Sequence, residues 1–368
     1  MESVCFPSSR AFAKIDIGAI ERNFCLLRSK AQQSNPRVRV IAVVKANAYG
    51  HGVALVVPAL YRTGCDFFAV ATPDEGLTVR ELAPDADILV LGYTPPVRAP
   101  ELADAGITQT VFSAPYAAAL SATMTAVGGS LPIHLKIDGG MCRLGFAPDD
   151  RAGLLRVLRR RGLAPTGIYT HFPVADTDTR ATKASLDRFL SCHAALKKEG
   201  FPLFAHAAAS AATLTLPESI LDGIRPGLSL YGISPVQTAL QLTPALSLHA
   251  PIVQIHTVPT GTPVGYGGDF ITNRNSRIGT LPLGYADGFP RALSGLTATL
   301  SHSGKEYPVP VVGRVSMDQL TVDLTDTPAL VGDTVCLWRD ATAIAAQLGT
   351  IPYEVLTALS PRVGRVKI

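Results

Sequence analysis

Chemistry in this chain concentrates at the ends of short apolar runs. Lys45 closes the run from Val38 and is followed by Ala-Asn-Ala-Tyr49-Gly-His51-Gly. A lysine ending an apolar strand faces a desolvated interior, which lowers its pKa and leaves a neutral amine able to form a Schiff base. The plainer alternative is a lysine whose stem packs on the strand while its head reaches the rim. Tyr49 could hydrogen-bond a ligand phosphate or simply pack. A later run carries Lys136 and Asp138 and continues into Gly-Gly-Met-Cys-Arg143. Arg143 in that glycine-rich loop suits bidentate capture of a carboxylate, and an ordinary surface arginine would look similar. Further runs end in Tyr169-Thr-His171 and at His206, two histidines that would as readily be structural as catalytic. The last opens with Arg225-Pro-Gly227, where backbone N–H groups at Gly227 and Leu228 could meet a phosphate. No carboxylates and histidines cluster at metal-ligand spacing.

The elements that must position these groups follow from hydrophobic periodicity. Between Arg37 and Gly232, eight apolar, β-branched runs alternate with helical stretches: 38–45, 66–72, 87–93, 108–113, 132–138, 167–171, 203–207 and 223–231. Helices are expected at 52–62, 74–82, 115–127, 149–161, 179–199 and 210–221, with one more at 17–31 before the first strand. Eight parallel βα units in about 200 residues suit a (β/α)8 barrel, whose chemistry sits at the C-terminal ends of the strands. An open doubly wound sheet also alternates β and α, but its usual Gly-x-Gly-x-x-Gly turn is missing. After Gly232, Pro, Gly and Thr become frequent and short strands are expected at 250–258, 277–282, 309–315, 320–324 and 334–337. The reading is an α/β chain with a TIM-like barrel over 1–236 and a mainly β C-terminal domain over 237–368.

Composition narrows the class further. The chain has 368 residues, 47% hydrophobic and 17% charged, which excludes global disorder and allows more than one domain. Its net charge of +4 is spread without a basic block, so neither nucleic acid nor a membrane surface is an expected partner. Cys5, Cys25, Cys65, Cys142, Cys192 and Cys336 are scattered with no C-x-x-C pair and read as reduced thiols. The N-terminal stretch lacks the pattern of a secretory leader, and no apolar run has membrane-spanning length. A cytoplasmic protein is the expectation.

From about Ala11 to Val366 the sequence resembles the alanine racemases. The resemblance rests on Ala42-Val-Val-Lys45-Ala-Asn-Ala-Tyr49-Gly-His-Gly, Lys136-Ile-Asp138 with Met141-Cys-Arg143-Leu-Gly-Phe, and Ile224-Arg225-Pro-Gly-Leu-Ser-Leu-Tyr231-Gly. It continues through Gly265-Tyr266-Gly, Leu283-Gly-Tyr285-Ala-Asp-Gly, Gly313-Arg-Val-Ser-Met317-Asp318 and Pro352-Tyr353-Glu. The later motifs separate racemases from related decarboxylases and single-barrel binders.

The resemblance implies pyridoxal 5'-phosphate linked to Lys45, its phosphate held by Tyr49, Ser210, Tyr353 and the backbone of Gly227 and Leu228. Arg225 would face the pyridine nitrogen; an arginine keeps its proton, so that nitrogen stays unprotonated and the ring is a weaker electron sink. Lys45 and Tyr266 would be two opposed bases, Lys45 serving D-alanine and Tyr266, from the other subunit of a homodimer, serving L-alanine. A phenol acting as a base needs positive charge nearby, which His171 and Arg225 would supply. Arg143 and the Met317 backbone would hold the substrate carboxylate, and Lys136 matches a lysine carbamylated in many members. Gly139, Cys142, Pro173 and Ala209 depart from the usual Thr, Asn or Gly, Ala and Asn, and the loss of a polar group at Ala209 is expected to weaken the hold on the cofactor. A racemase for serine or a broad set of amino acids is the alternative on the same scaffold, and a non-catalytic pyridoxal-phosphate carrier is another.

Overall fold

Residues 10–368 are described by a computed structural model; Cys5 and the N-terminal stretch read for a leader lie outside them. Two compact units are present. The barrel unit runs Gly18–Thr243; the second takes Pro244–Ile368 together with the segment ending at Ile17.

Strand β1 (Phe12–Ile15) belongs to the second unit. The closed barrel consists of β2 (Arg39–Val43), β3 (Phe67–Val70), β4 (Asp87–Val90), β5 (Thr108–Val111), β6 (Leu131–Lys136), β7 (Leu163–Tyr169), β8 (Phe204–Ala209) and β9 (Gly223–Arg225). All eight are parallel neighbours, and Arg39 opposite Gly223 joins first to last. Helices expected from the sequence lie at Val53–Arg62, Pro73–Leu82, Ala114–Ala126, Arg151–Leu158, Thr179–Lys198 and Ser210–Thr215, with Ile17–Gln32 ahead of the barrel. Ala99–Asp104, not among the helices expected, is a short helix.

Two local signals explain the helix starts. Thr72 and Glu75 form a reciprocal capping box at Pro73–Leu82, and Ser113, Asp150 and Asp178 each accept a backbone N–H at the start of their helices.

One strand is shorter than its apolar run. The eighth barrel strand was expected over 223–231 and to open with Arg225, whereas it ends there. Pro226 has no N–H to continue the ladder, and Leu228–Tyr231 turns into a 3-10 helix. Arg225 therefore stands on the C-terminal rim.

The second unit adds β10 (Leu246–Pro251), β11 (Gln254–Val258), β12 (Pro263–Val264), β13 (Phe270–Ile271), β14 (Ser276–Leu281), β15 (Thr297–His302), β16 (Lys305–Val312), β17 (Leu320–Asp323), β18 (Thr334–Trp338) and β19 (Gly364–Lys367). Nine strands form one sheet in the order β11-β14-β17-β16-β15-β18-β10-β1-β19, and β12 and β13 pair as a separate hairpin. The run expected as one strand at 250–258 is two, broken between Pro251 and Gln254. Ala341–Leu348 and Pro352–Thr357 are helical. β1 was placed with the barrel by sequence order, but it pairs antiparallel with β10 and parallel with β19, partners remote in sequence. No helix of the described residues is long and apolar enough to cross a membrane.

Candidate active site

Inside the barrel, aromatic packing gives way to polar groups toward the C-terminal rim. Phe67 and Phe204 pack around the His134 ring, and the His206 ring stacks on Tyr169 with centroids 4.8 Å apart. Over the Tyr169 ring sit Lys136 Nζ at 4.9 Å and the Arg225 guanidinium at 5.0 Å. Thr110 Oγ1 lies 3.0 Å from the Tyr169 hydroxyl and fixes its height.

Arg225 is held by acceptors. Nη1 donates to His206 Nδ1 (2.7 Å) and to the His206 carbonyl (2.9 Å), and Nη2 to the carbonyls of Thr170 (2.5 Å) and Ala207 (3.0 Å). An arginine can only donate, so His206 Nδ1 is bare and its proton is on Nε2, which donates to His134 Nδ1 at 2.9 Å. Both rings are neutral: burial and the Arg225 charge push His134 down to about 3 and His206 well below its ordinary value. Burial lowers Arg225 itself to about 10, which leaves it charged at neutral pH.

Lys45 follows Val44 just beyond β2, and its neighbours adopt an unusual conformation. Ala46, Asn47, Ala48 and Tyr49 all have φ between 52° and 54°, a left-handed turn made without glycine. Each such residue costs about 1–2 kcal/mol against a right-handed turn, so contacts must impose it. Glu75 provides one: its carboxylate takes the N–H of Ala46 (2.7 Å) and of Ala71 (2.7 Å). Asn47 Oδ1 accepts the Val53 N–H (2.8 Å) at the start of the next helix. The turn carries the Tyr49 ring onto Tyr231, centroids 4.9 Å apart, and Tyr231 is anchored by its hydroxyl on the Val43 carbonyl (3.0 Å).

The Tyr49 hydroxyl reaches Gly227 so closely that a Cβ there would lie 2.4 Å from it. Ser210 Oγ accepts the N–H of Gly227 (3.1 Å) and of Ser229 (3.3 Å), which leaves its own O–H to donate. Thr213 Oγ1 and Ser229 Oγ, on the same two segments, are buried with no partner in the protein. Donors crowd this corner without a carboxylate among them, which is the chemistry of an anion cradle.

Burial together with the Arg143 charge lowers Lys45, with Glu75 opposing. Lys136, beside Arg225 and Arg143, is pushed well below its ordinary value, chiefly by burial. His171 is lowered to about 3 by burial and the Arg225 charge, so it stands neutral and Arg225 supplies the positive field. Asp138 directs the Arg143 loop, its carboxylate accepting the N–H groups of Gly140, Met141 and Cys142. Two of the departures have a structural context here. A side chain at Gly139 would meet the His171 carbonyl at 2.4 Å, so a threonine needs a shifted backbone; Cys142 holds φ 53°, which suits Asn or Gly better.

The barrel unit thus brings together Lys45, Tyr49, Lys136, Arg143, His171, Ser210, Arg225, Gly227 and Leu228. Tyr266, Met317 and Tyr353 stand on the other unit, where they are 71%, 53% and 37% exposed. Sequence reasoning missed His134, Glu75 and Thr110. His134 was detectable as the residue two before Lys136 on the same strand face; Glu75 shows only as the third residue of a capping box, and Thr110 carries no local signal.

Comparison with known proteins matches both parts of the chain. The model of the alanine racemase N-terminal domain matches residues 15–235 and that of the C-terminal domain residues 245–367. Alanine racemase 2 of Caldanaerobacter subterraneus subsp. tengcongensis is 39% identical, covering 96% of this chain and 94% of its own. The alanine racemase of Carboxydothermus hydrogenoformans is 38% identical, covering 97% and 99%. Among solved structures, that of Clostridium difficile 630 alanine racemase superposes with a TM-score of 0.91 at 32% identity, covering 98% of this chain and 96% of that one. The Bacillus anthracis alanine racemase with bound L-Ala-P gives 0.89 at 33% identity, covering 98% and 96%. With both domain models matched in order and the barrel's polar floor in place, the chain belongs to the alanine racemase family of isomerases.

Proposed function

We propose that this enzyme interconverts L- and D-alanine by a two-base mechanism with pyridoxal 5'-phosphate, as a homodimer, in the cytoplasm. The observation that carries the reading is the convergence, within one barrel, of a lysine with lowered pKa, a donor-only cradle and a buried arginine held by carbonyls. The donor set fits the cofactor: Lys45 would hold it covalently, Tyr49, Ser210 and the Gly227–Leu228 backbone its phosphate, with Tyr353 added from the β unit. Arg225 would meet its ring nitrogen.

When bound, the cofactor supplies a conjugated ring that takes up the electron pair left on Cα. The remaining work belongs to the chain. Lys45 Nζ removes or returns the proton on the D face, and the Tyr266 hydroxyl does so on the L face. A neutral His171 leaves the Arg225 charge as the field favouring a deprotonated phenol. Arg143 and the Met317 backbone fix the substrate carboxylate, so that the Cα–H bond is presented to either base. The Asp138-bound loop keeps Arg143 in place. Lys136 is suited to carbamylation, because only a neutral amine adds carbon dioxide and burial favours its neutral form. The resulting anion would neutralise part of the Arg225 and Arg143 field and orient Arg143.

Exposure of Tyr266, Tyr285 and Met317 in one copy supports the homodimer, since motif aromatics and methionines left uncovered are typical of interface cores. Free thiols at Cys25, Cys65, Cys142, Cys192 and Cys336 suit a reducing compartment. The product would serve cell-wall synthesis, or the reaction would run toward D-alanine breakdown.

The test is incubation of cofactor-loaded protein with L-alanine or L-serine in D2O, following optical rotation and Cα deuteration. Loss of rotation with alanine, absent in Lys45→Ala and strongly reduced in Tyr266→Phe, is expected. Equal rates with serine would move the assignment to a broader racemase, and cofactor absorbance without exchange for any amino acid would make the protein a carrier.

A further inference from the structure

Tyr266 sits at the tip of the β12–β13 hairpin, whose strands share only two residue pairs, Pro263 with Ile271 and Val264 with Phe270. The tip, Gly265–Asp269, contains three glycines, all with positive φ: 75° at Gly265, 79° at Gly267 and 63° at Gly268. Glycine in such conformations has the most freedom to lose, so a tip of this composition needs an external fastening to hold one geometry. The tyrosine ring does not provide it, since the residue is 71% exposed within its own chain.

We propose that Arg314 and Asp269 form a latch that sets the position of Tyr266, and with it the L-face proton transfer. The Arg314 guanidinium engages the Asp269 carboxylate through both Nε and Nη2, the latter at 3.0 Å from Oδ1. A planar fork of this kind fixes orientation as well as distance. The same guanidinium lies along the backbone beside Tyr266: a Cβ on Gly267 would be 3.1 Å from Arg314 Cζ and 3.2 Å from Nη1. On the other side of Tyr266, a Cβ on Gly265 would be 3.4 Å from the Arg314 backbone nitrogen. Arg314 therefore borders both glycines that flank the tyrosine. Its own segment is anchored, with the Val315 N–H donating to Ser294 Oγ (3.2 Å) and the Met317 carbonyl accepting the Ala286 N–H (3.0 Å). The segment 313–317 consequently joins Tyr266 to the backbone assigned to the substrate carboxylate. Arg314 and Asp269 are positioning residues; neither needs to touch substrate. The inference rests on the reading of Tyr266 as the L-face base.

Asp269→Asn keeps size and Arg314→Gln leaves a shorter polar side chain, each removing the charge pair, and both sites are half exposed, so folding is preserved. In the unloaded protein, amide hydrogen exchange over residues 264–270 should accelerate in each variant. In the loaded dimer racemisation should fall about fivefold, the worth of roughly 1 kcal/mol of loop order. The double variant should lose no more than either single, because one bond is being removed. Isotope effects distinguish positioning from general damage. With the Tyr266 step slowed, the effect of Cα deuteration should rise for L-alanine and shrink for D-alanine, and D-alanine should exchange its Cα hydrogen with D2O faster than it racemises. Parental exchange over 264–270, unchanged isotope effects or additive losses would each overturn the latch. Tyr266→Phe separates the two ideas: if it racemises at the parental rate, the base assignment fails, whereas an inactive Tyr266→Phe alongside parental Asp269→Asn and Arg314→Gln sinks the latch alone.

Discussion

Replacing His206 tests whether the buried arginine is held as its hydrogen bonds imply. His206→Leu removes the ring acceptor from Arg225 Nη1, leaving that nitrogen only the His206 carbonyl at 2.9 Å. A hydrogen bond to a charged group contributes about 1.5–3 kcal/mol, and the orphaned His134 Nδ1 adds a further cost of about 1–3 kcal/mol. Loss of the stack on Tyr169 removes about 0.5–1 kcal/mol more. The sum is about 3–7 kcal/mol, which for a unit of this size lowers Tm by roughly 6–28 °C. Two amide replacements resolve the parts. In His206→Asn, Oδ1 stands close to where Nδ1 stood and can still accept from Arg225, so the cost falls to about 2–3 kcal/mol. In His206→Gln the amide reaches toward His134 but leaves Arg225 short of an acceptor, so its cost lies between those of Asn and Leu. Thermal unfolding followed by circular dichroism, at fixed protein and cofactor concentration because ligand and dimer both stabilise, gives the three values. A cost below about 1 kcal/mol for His206→Leu, or Asn as harmful as Leu, would refute a guanidinium held through the His206 ring.

Acidification should act on the same interior. His134 and His171 titrate at about 3 when folded against about 6.5 unfolded, so the unfolded chain binds more protons between those values; stability is full above pH 6.5 and falls as pH drops, by about 2 kcal/mol per histidine at pH 5. Equal urea midpoints at pH 7.5 and pH 5 would contradict this. Cys142→Gly should stabilise the protein by about 0.5–1 kcal/mol, because φ 53° strains a side chain there; a lowered Tm would show that the cysteine is held by contacts that outweigh the strain. Ala209 begins the Ser210–Thr215 helix without a side-chain cap, so Ala209→Asn should add a cap, firm the Ser210 corner and tighten the apparent Kd for pyridoxal 5'-phosphate about fivefold. Titration showing an unchanged Kd would remove Ala209 as a cause of weaker cofactor hold.

What was legible in the sequence is what local chemistry encodes. The eight barrel strands show as apolar runs because each is buried on both faces, and most helix starts carry their own capping residues. Three kinds of feature escaped. β1 and β19 gain meaning only from partners far away in the chain. The apolar run Leu228–Tyr231 looks like strand until Pro226 is given its weight as a break in the ladder. The left-handed turn at 46–49 carries no glycine to announce it, and contacts from outside the turn, such as that of Glu75 with the Ala46 N–H, help to impose it. For the site, position on a strand end sufficed to pick out Lys45, Lys136, His171 and Arg225. Their protonation was not legible, since it depends on how deeply each is buried and on the charges of the others.

Those charges explain why a barrel with this interior suits an anionic cofactor. Arg143 raises the cost of protonating Lys45, and Arg225 and Arg143 raise it for Lys136, each adding to the larger effect of burial. The nearby carboxylates do little to offset this, because Glu75 and Asp138 are engaged with backbone N–H groups. Arg225 remains charged, and it is held by carbonyls and a neutral histidine without a carboxylate partner. Such an interior is unfavourable for the empty fold and favourable for whatever brings negative charge into it. A phosphate in the Tyr49–Ser210–Gly227 corner, a substrate carboxylate at Arg143 and a carbamate at Lys136 would each supply some. By linkage, a ligand that relieves the repulsion binds more tightly for having done so. Burial, with the Arg143 charge added to it, favours the neutral form of the Lys45 amine, which is the state a nucleophile and proton acceptor requires. Reactivity at Lys45 and affinity for an anion thus share the same causes, burial within the barrel and the arginine charges beside it.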